Sequence, residues 1–311
     1  MRPMRSLLLW MARDQRLRET LPRMPFARRA VRRFMPGERL EDAFAAADRL
    51  QDEGLGVLFT HLGENVTSLA EAMAVAEHYA TVMQQDRARA HPLGRVEISI
   101  KPSQLGLDQD PEACFAQCDE LARRCAATDT WFWLDMEGSH YTEATVRLYE
   151  RLAAEHEKVG IALQAYLRRT AADVERLLPR RPAIRLVKGA YNEPEAVAYR
   201  SKTAVDGNFQ ALAVIVAQAA GRGAARLALG THDTDLIERI STIAEAGGVQ
   251  RSALEVHMLY GIRVAELRRL RDAGYPAFSL VAYGDAWYAW YMRRLAERPA
   301  NLVFALRQLL P

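Results

Sequence analysis

Cysteine is scarce in this 311-residue chain, and the little there is builds no framework. Cys114, Cys118 and Cys125 fall within one predicted helix, and neither a CxxC pair nor a Cys/His zinc spacing occurs. A disulfide scaffold and a structural zinc site are thereby excluded, and the three residues read as free thiols in a reducing cytoplasm. Long apolar runs are also missing. The run Leu7–Met11 is shorter than a secretory core and is followed by no small-residue cleavage site, and no stretch is long enough to span a bilayer. No GxGxxG or GxxxxGK[ST] string follows a predicted strand, which argues against an open dinucleotide- or nucleotide-binding sheet. Internal repeats and low-complexity linkers are absent, so one large core is expected.

Net charge is small, +3, but it is unevenly placed. Arg2, Arg5, Arg13, Arg16, Arg18, Arg23, Arg28, Arg29, Arg32 and Arg33 crowd the start of the chain. Aromatic interleaving and nucleic-acid motifs are missing, so no nucleic acid is expected as a partner. The arm reads as a solvated amphipathic helix lying on the main domain, with a peripheral contact to anionic membrane as the alternative.

From Gly56 onward, short β-type runs alternate with longer helical patterns. The strand candidates begin at Gly56, Gly94, Thr130, Ile161, Ala183, Ala225, Ser252 and Pro276. Each is followed by an amphipathic stretch, such as Ser68–Arg87, Pro111–Ala127 or Lys202–Gly221. Eight βα units of about thirty residues predict an all-parallel sheet that closes. The expected fold is therefore α/β, a distorted (β/α)8 TIM barrel. Residues 1–55 form an N-terminal helical arm, residues 56–311 the catalytic barrel, and a last helix from Pro299 closes the chain.

Strand parity then separates interior from exterior positions. Glu97, Ser99 and Lys101 share one face of the second strand, and Trp131, Trp133 and Asp135 share one face of the third, with Glu137 just beyond. Arg185, His232, Glu255 and His257 stand out in the same way on later strands. Polar groups inside a barrel need partners or a ligand, and most of these lie at C-terminal strand ends, where such barrels do chemistry. Interior ion pairs, for example Lys101 with Asp135 or Glu97, are the structural alternative.

The strings LGENV from Leu62, KPSQLGL from Lys101, LDMEGS from Leu134, LQAYL from Leu163, RLVKGAYNEP from Arg185, GTHD from Gly230, MLYGIR from Met258 and RRLAERPAN from Arg293 together resemble bacterial proline dehydrogenases. The resemblance runs in order from about Gly37 to the C-terminus. It implies a distorted barrel with non-covalent FAD that oxidises L-proline to 1-pyrroline-5-carboxylate, the first step of proline catabolism, and passes electrons to a quinone. It also implies the monofunctional form, without the DNA-binding and aldehyde dehydrogenase portions of bifunctional relatives.

Carried over residue by residue, Lys101, Arg293 and Arg294 bind the substrate carboxylate, and Glu64 pairs with the first of those arginines as a gate. Asp135 sits beside the substrate, where it is expected to hold Lys101, while Glu137 orients Arg185. Arg185 touches the reactive nitrogen of the flavin, and Asp135 and Arg185 are the catalytic pair. Met136, Gln164, Lys188, Gly189, Ala190, Thr231 and His232 match flavin contacts, and Tyr191 and Leu259 match walls of the substrate pocket. For His232 a loop histidine satisfied by the backbone is the alternative, with Asp233 as helix cap.

Three positions depart from the pattern, one of them Ala282, which stands where the family has a proline. Leu280 stands where the family has a tyrosine that packs on the substrate ring, and His257 stands where a glutamine is usual. Leu280 opens the possibility that hydroxyproline or another cyclic amino acid is preferred, unless Tyr283 swings into the gap. A barrel aldolase using Lys101 or Lys188 as a Schiff base is the remote alternative.

Overall fold

The alternation of β-branched runs with amphipathic helices produces the expected closed barrel in the computed structural model. The structure describes residues 31–63, 65–89, 91 and 94–297, with side chains through 292, and the separate positions 14, 16, 20 and 24. The strands are β1 (Gly56–His61), β2 (Glu97–Ile100), β3 (Phe132–Leu134), β4 (Val159–Gln164), β5 (Ala183–Val187), β6 (Arg226–Gly230), β7 (Leu254–Leu259) and β8 (Ala277–Tyr283). All neighbours pair in parallel, and β8 returns to β1 with Leu280 opposite Leu58.

The helices are α1 (Leu40–Asp52), α2 (Leu69–Arg89), α3 (Pro111–Ala127), α4 (Thr142–Glu155), α5 (Thr170–Leu177), α6 (Lys202–Gly221), α7 (Thr234–Ala246), α8 (Val264–Asp272) and α9 (Trp287–Glu297). None among the described residues is long and apolar enough to cross a membrane.

Parity divides the core into two shells. Outward residues such as Phe59, Ile98, Ile100, Ile161, Leu186 and Val256 pack under the helices. Inside the barrel, Leu58, Trp133, Ala183 and Ala228 form a small cluster with Trp131, Phe278 and Leu280. The interior is therefore short of aliphatic filling, and charged residues take the remaining space.

The ring of helices closes at α1. Helix α1 runs along β8 and β1, and Ala43, Phe44, Ala47 and Leu50 enter the outer core, with the Phe44 ring 5.2 Å from Phe59. Helix α9, which precedes the closing helix expected from Pro299 and was not anticipated in the sequence, packs on the segment before α1. Trp287 Nε1 donates to Glu38 at 2.9 Å, and the Tyr291 ring lies 5.7 Å from Phe34. Gly261, in the β7–α8 turn at φ +72, lets the Arg33 carbonyl pass where a Cβ would stand 1.6 Å away. Pro299 and the residues after it, like most of the arginine-rich arm, lie outside the described residues. The three cysteines are free and buried on α3.

Candidate active site

Two of the critical strands are shorter than their sequence runs. β2 ends at Ile100 because Pro102, which lacks an N–H, starts a short 3-10 turn, and β3 ends at Leu134. Lys101 and Asp135 therefore stand just past the strand tops, at the rim of the barrel mouth.

Arg185, on β5, points inward and is 5% exposed. Its Nη2 donates to Ser99 Oγ at 2.7 Å and to the Asp135 carboxylate, and the Ser99 hydroxyl donates to Asp135 Oδ1 at 3.0 Å. The guanidinium carbon lies 5.2 Å from the centroid of the Trp133 ring. Arg185 Nη1 is buried and has no hydrogen-bond partner among the described residues. On the neighbouring strand, Gln164 Nε2 donates to the Met136 carbonyl at 3.2 Å, while its buried Oε1 likewise has no partner among the described residues.

Two expected contacts are replaced by others. The carboxylate gripping Arg185 is Asp135 rather than Glu137, which instead accepts from the backbone and hydroxyl of Ser103 at 3.1 and 2.6 Å. The physical reason is that β3 stops at Leu134, so parity no longer fixes where Glu137 points. With Asp135 turned to Arg185, Lys101 is not held by it: Lys101 is 8% exposed and makes no ion pair among the described residues.

The flank of the mouth is made by the tops of β5 and β6. Lys188 donates to Asp206 at 2.5 Å and Asp233 at 2.8 Å. Burial opposes ionisation of Asp233, but the bond from Lys188 and the nearby Lys202 outweigh it and hold its carboxyl down at about 2. Asp233 also caps α7 through Leu236 N–H, as its position suggested. The Thr231 hydroxyl accepts from Asp233 N–H at 3.2 Å. His232 Nε2 accepts from Leu259 N–H at 3.4 Å, and Arg263 reaches its carbonyl at 2.9 Å, so backbone groups do engage this loop histidine. Gly189, at φ +115, lies so close to Tyr166 that a Cβ would come within 2.1 Å of the ring. Ala190, Tyr191 and Leu259 are half-buried.

Leu280 faces the interior, in register with Leu58 and Leu259 and half-exposed. Tyr283 does not fill its place. Three residues on, it faces outward, 1% exposed, with its hydroxyl 2.7 Å from His78 Nε2 on α2. Glu64 lies outside the described residues, as do the side chains of Arg293 and Arg294, which belong to α9.

Sequence reading missed the floor of the barrel. Arg226, the first residue of β6, donates to Glu97 at 2.6 Å and to both oxygens of Glu255 at 2.8 Å. The rings of Trp131, Trp133 and Phe278 surround its guanidinium. Trp133 Nε1 also donates to Glu97, at 2.6 Å. His257 Nε2 meets Glu255 at 3.2 Å; the carboxylate cannot donate, so this nitrogen carries the proton.

Burial pushes His257 down to about 4 against the opposing pull of Glu255, and burial together with His78 brings His61 to about 4 as well. Both therefore fold neutral. The unfolded chain takes up protons near the ordinary value of 6.5, whereas the folded one waits until about 4. The associated stability is complete above 6.5 and is lost as pH falls toward 4; for His257 this is about 3 kcal/mol at most. His257→Gln keeps an N–H for Glu255 and cannot titrate. Thermal melts between pH 7 and 4.5 should show a shallower loss of Tm than wild type; parallel curves would show that His257 does not carry this dependence.

No group of three or more His, Cys, Asp or Glu side chains among the described residues is arranged to hold a metal. Eight parallel strands closed into a barrel, with charged groups gathered at the strand tops, define an α/β barrel enzyme. The chain belongs to the proline dehydrogenase family, whose pattern it matches over residues 43–307, and is an oxidoreductase. Proline dehydrogenase 1 of Bacillus subtilis (strain 168) is 35% identical over 283 residues, 91% of either chain. The proline dehydrogenase of Deinococcus radiodurans is 32% identical over 284 residues, 89% of either chain. Among solved structures, proline utilization A of Bdellovibrio bacteriovorus, inactivated by N-propargylglycine, superposes with a TM-score of 0.80 at 20% identity. That match covers 94% of this chain and 38% of the other, and it speaks for the fold.

Proposed function

We propose that the protein is an FAD-dependent dehydrogenase that oxidises L-proline to 1-pyrroline-5-carboxylate and passes the electrons to a quinone. The observation that carries this reading is the pair of buried polar atoms without a partner among the described residues on adjacent strands, Arg185 Nη1 from within β5 and Gln164 Oε1 at the end of β4. One offers a charged donor and the other an acceptor, which suits a heteroaromatic ring bearing both carbonyls and an N–H. Met136, Gln164, Arg185, Lys188, Gly189, Ala190, Thr231 and His232 are the residues that would hold FAD. When bound, FAD supplies the acceptor for a hydride from the carbon beside the ring nitrogen of the substrate.

Arg185 would meet the negative charge that builds up during transfer, with Ser99 and Asp135 fixing its fork. Lys101, Arg293 and Arg294 would bind the substrate carboxylate, and Glu64 would close the site by pairing with Arg293. Tyr191, Leu259 and Leu280 would line the ring pocket and exclude water. A Schiff-base role for Lys188 has less support, because its ammonium is engaged by Asp206 and Asp233. In this reading residues 1–55 serve as an arm and 56–311 as the catalytic barrel of a cytoplasmic protein, and the arm supplies any contact with an anionic membrane surface. Purified protein should be yellow or take up FAD on titration, and L-proline should bleach it anaerobically. A protein that neither binds FAD nor is bleached would sink the reading.

Leu280 favours keeping a second substrate in view. With Tyr283 committed to the outer face, nothing from β8 refills the space left by the missing aromatic ring. L-proline should lose about 1–3 kcal/mol of binding relative to a tyrosine-lined pocket, and a hydroxylated or larger ring should lose less. Bleaching with L-proline, 4-hydroxyproline, pipecolate and azetidine-2-carboxylate should show Leu280→Tyr shifting preference toward proline. An unchanged preference would remove Leu280 from the determinants of specificity.

A further inference from the structure

The β5–α6 connection, residues 188–201, forms a strap whose two ends are anchored on the β4–α5 turn. Tyr166 N–H donates to the Lys188 carbonyl at 2.9 Å, Tyr199 N–H to the Tyr166 carbonyl at 2.7 Å, and Arg168 N–H to the Val197 carbonyl at 2.9 Å. The apex leaves that turn and reaches the β3–α4 connection. There the Glu193 carboxylate accepts from the Ser139 backbone N–H at 2.8 Å and from the Ser139 hydroxyl at 2.5 Å. Ser139 opens the 3-10 turn Ser139–Tyr141 that runs into α4, so the carboxylate satisfies an otherwise orphan amide at the positive end of a helical stretch.

The anchor point is itself fixed. Ser139 is two residues past Glu137, which is bound to Ser103, and four past Asp135, which is bound to Arg185. Glu193 in turn is two residues past Tyr191 on the strap. One pair of charge-assisted hydrogen bonds thus ties the segment carrying Tyr191 to the segment carrying Asp135, across the intervening top of β4. Glu193 and Ser139 are both half-buried, and a grip by both carboxylate oxygens on one residue restricts the apex in two directions.

We propose that the Glu193–Ser139 clasp is a positioning device: it fixes the apex of the strap, and with it Tyr191, against the substrate ring, and so sets affinity for the cyclic amino acid. The proposal rests on the proline-oxidising reading above. It is tested on the full-length, FAD-loaded protein with Glu193→Ala, Ser139→Ala, the double variant and Glu193→Gln. Glu193→Ala, which removes both bonds, should raise KM for L-proline about ten-fold and Ser139→Ala, which removes only the hydroxyl bond, by less, each with kcat within about two-fold. The double variant should be no worse than Glu193→Ala alone, because that variant already removes both bonds, whereas Ser139→Ala leaves the one from the backbone N–H. Glu193→Gln, whose amide oxygen can accept from the Ser139 N–H while its NH2 donates to the Ser139 hydroxyl, should recover most of the loss.

Amide hydrogen exchange over residues 189–193, followed without substrate, should quicken in the alanine variants and not in Glu193→Gln. Unchanged exchange, additive singles, or a fall in kcat at constant KM would each overturn the clasp. A wild-type protein that proline does not reduce would overturn the functional reading instead, and the exchange comparison would still decide whether the clasp holds the strap.

Discussion

Arg185→Lys should lower kcat for L-proline by about two to three orders of magnitude, the range seen when a preorganised charge stabiliser is removed. KM should move by less than about five-fold, and FAD should still bind. The guanidinium fork decides this outcome. Nη2 alone serves Ser99 and Asp135, which leaves Nη1 buried with no partner among the described residues. A guanidinium can hold its anchor with one nitrogen and present the other where charge develops, while an ammonium on a shorter, more flexible stem has to choose. Lysine would go to Asp135, the nearer formal charge, and the acceptor would lose its donor. Arg185→Met should be as slow and also less stable, because Asp135 then keeps a partly buried charge without its cation. Anaerobic single-turnover reduction separates the step from binding. A variant that reduces flavin at the wild-type rate would remove Arg185 from the chemistry.

Such assignments show which features the one-dimensional pattern carries and which it does not. Parity was sufficient for the interior placement of Ser99 and Arg185, because both lie within regular strands. It failed for Glu137, three residues after β3 has ended, and for the partner of Lys101, because chain direction beyond a strand top depends on loop contacts such as Ser103 to Glu137. Tyr283 was decidable in principle: three residues from Leu280, it had to face the opposite way. Arg226 was not, since Glu97 lies 129 residues away and no local pattern announces that they meet. Asp206 was hidden for the same reason: on α6 it reads as the i+4 partner of Lys202, and only the fold brings Lys188 to its other oxygen.

Lys101→Met should separate function from stability, with opposite signs. Lys101 is 8% exposed at the top of β2 and makes no ion pair among the described residues, whereas Asp135 is committed to Arg185. Its backbone N–H bonds Gln104, whose amide donates to the His61 carbonyl, so the main chain here is held without help from the ammonium. A cation on a buried residue, with no carboxylate paired to it among the described residues, contributes little to the stability of the free protein. In the proposed reading, its partner would be the carboxylate of the substrate. Removing the charge should therefore weaken proline binding by about 2–5 kcal/mol, the scale for truncating one partner of a buried hydrogen-bonded charge pair, which makes KM rise by at least about thirty-fold.

Methionine nearly matches the length of the lysine stem and fills the same channel without a charge, so the folded state should lose nothing in packing. Tm of the substrate-free protein should stay level or rise by about 2–4 °C for each kcal/mol recovered. Saturating proline should then raise Tm in wild type but hardly at all in Lys101→Met, because ligand that no longer binds cannot stabilise. Thermal melts with and without proline, run beside steady-state kinetics, read both signs in one experiment. A variant that melts several degrees lower while binding proline as tightly as wild type would mean that Lys101 is a structural cation with a partner in the fold, and the carboxylate would have to be held by other groups at the mouth.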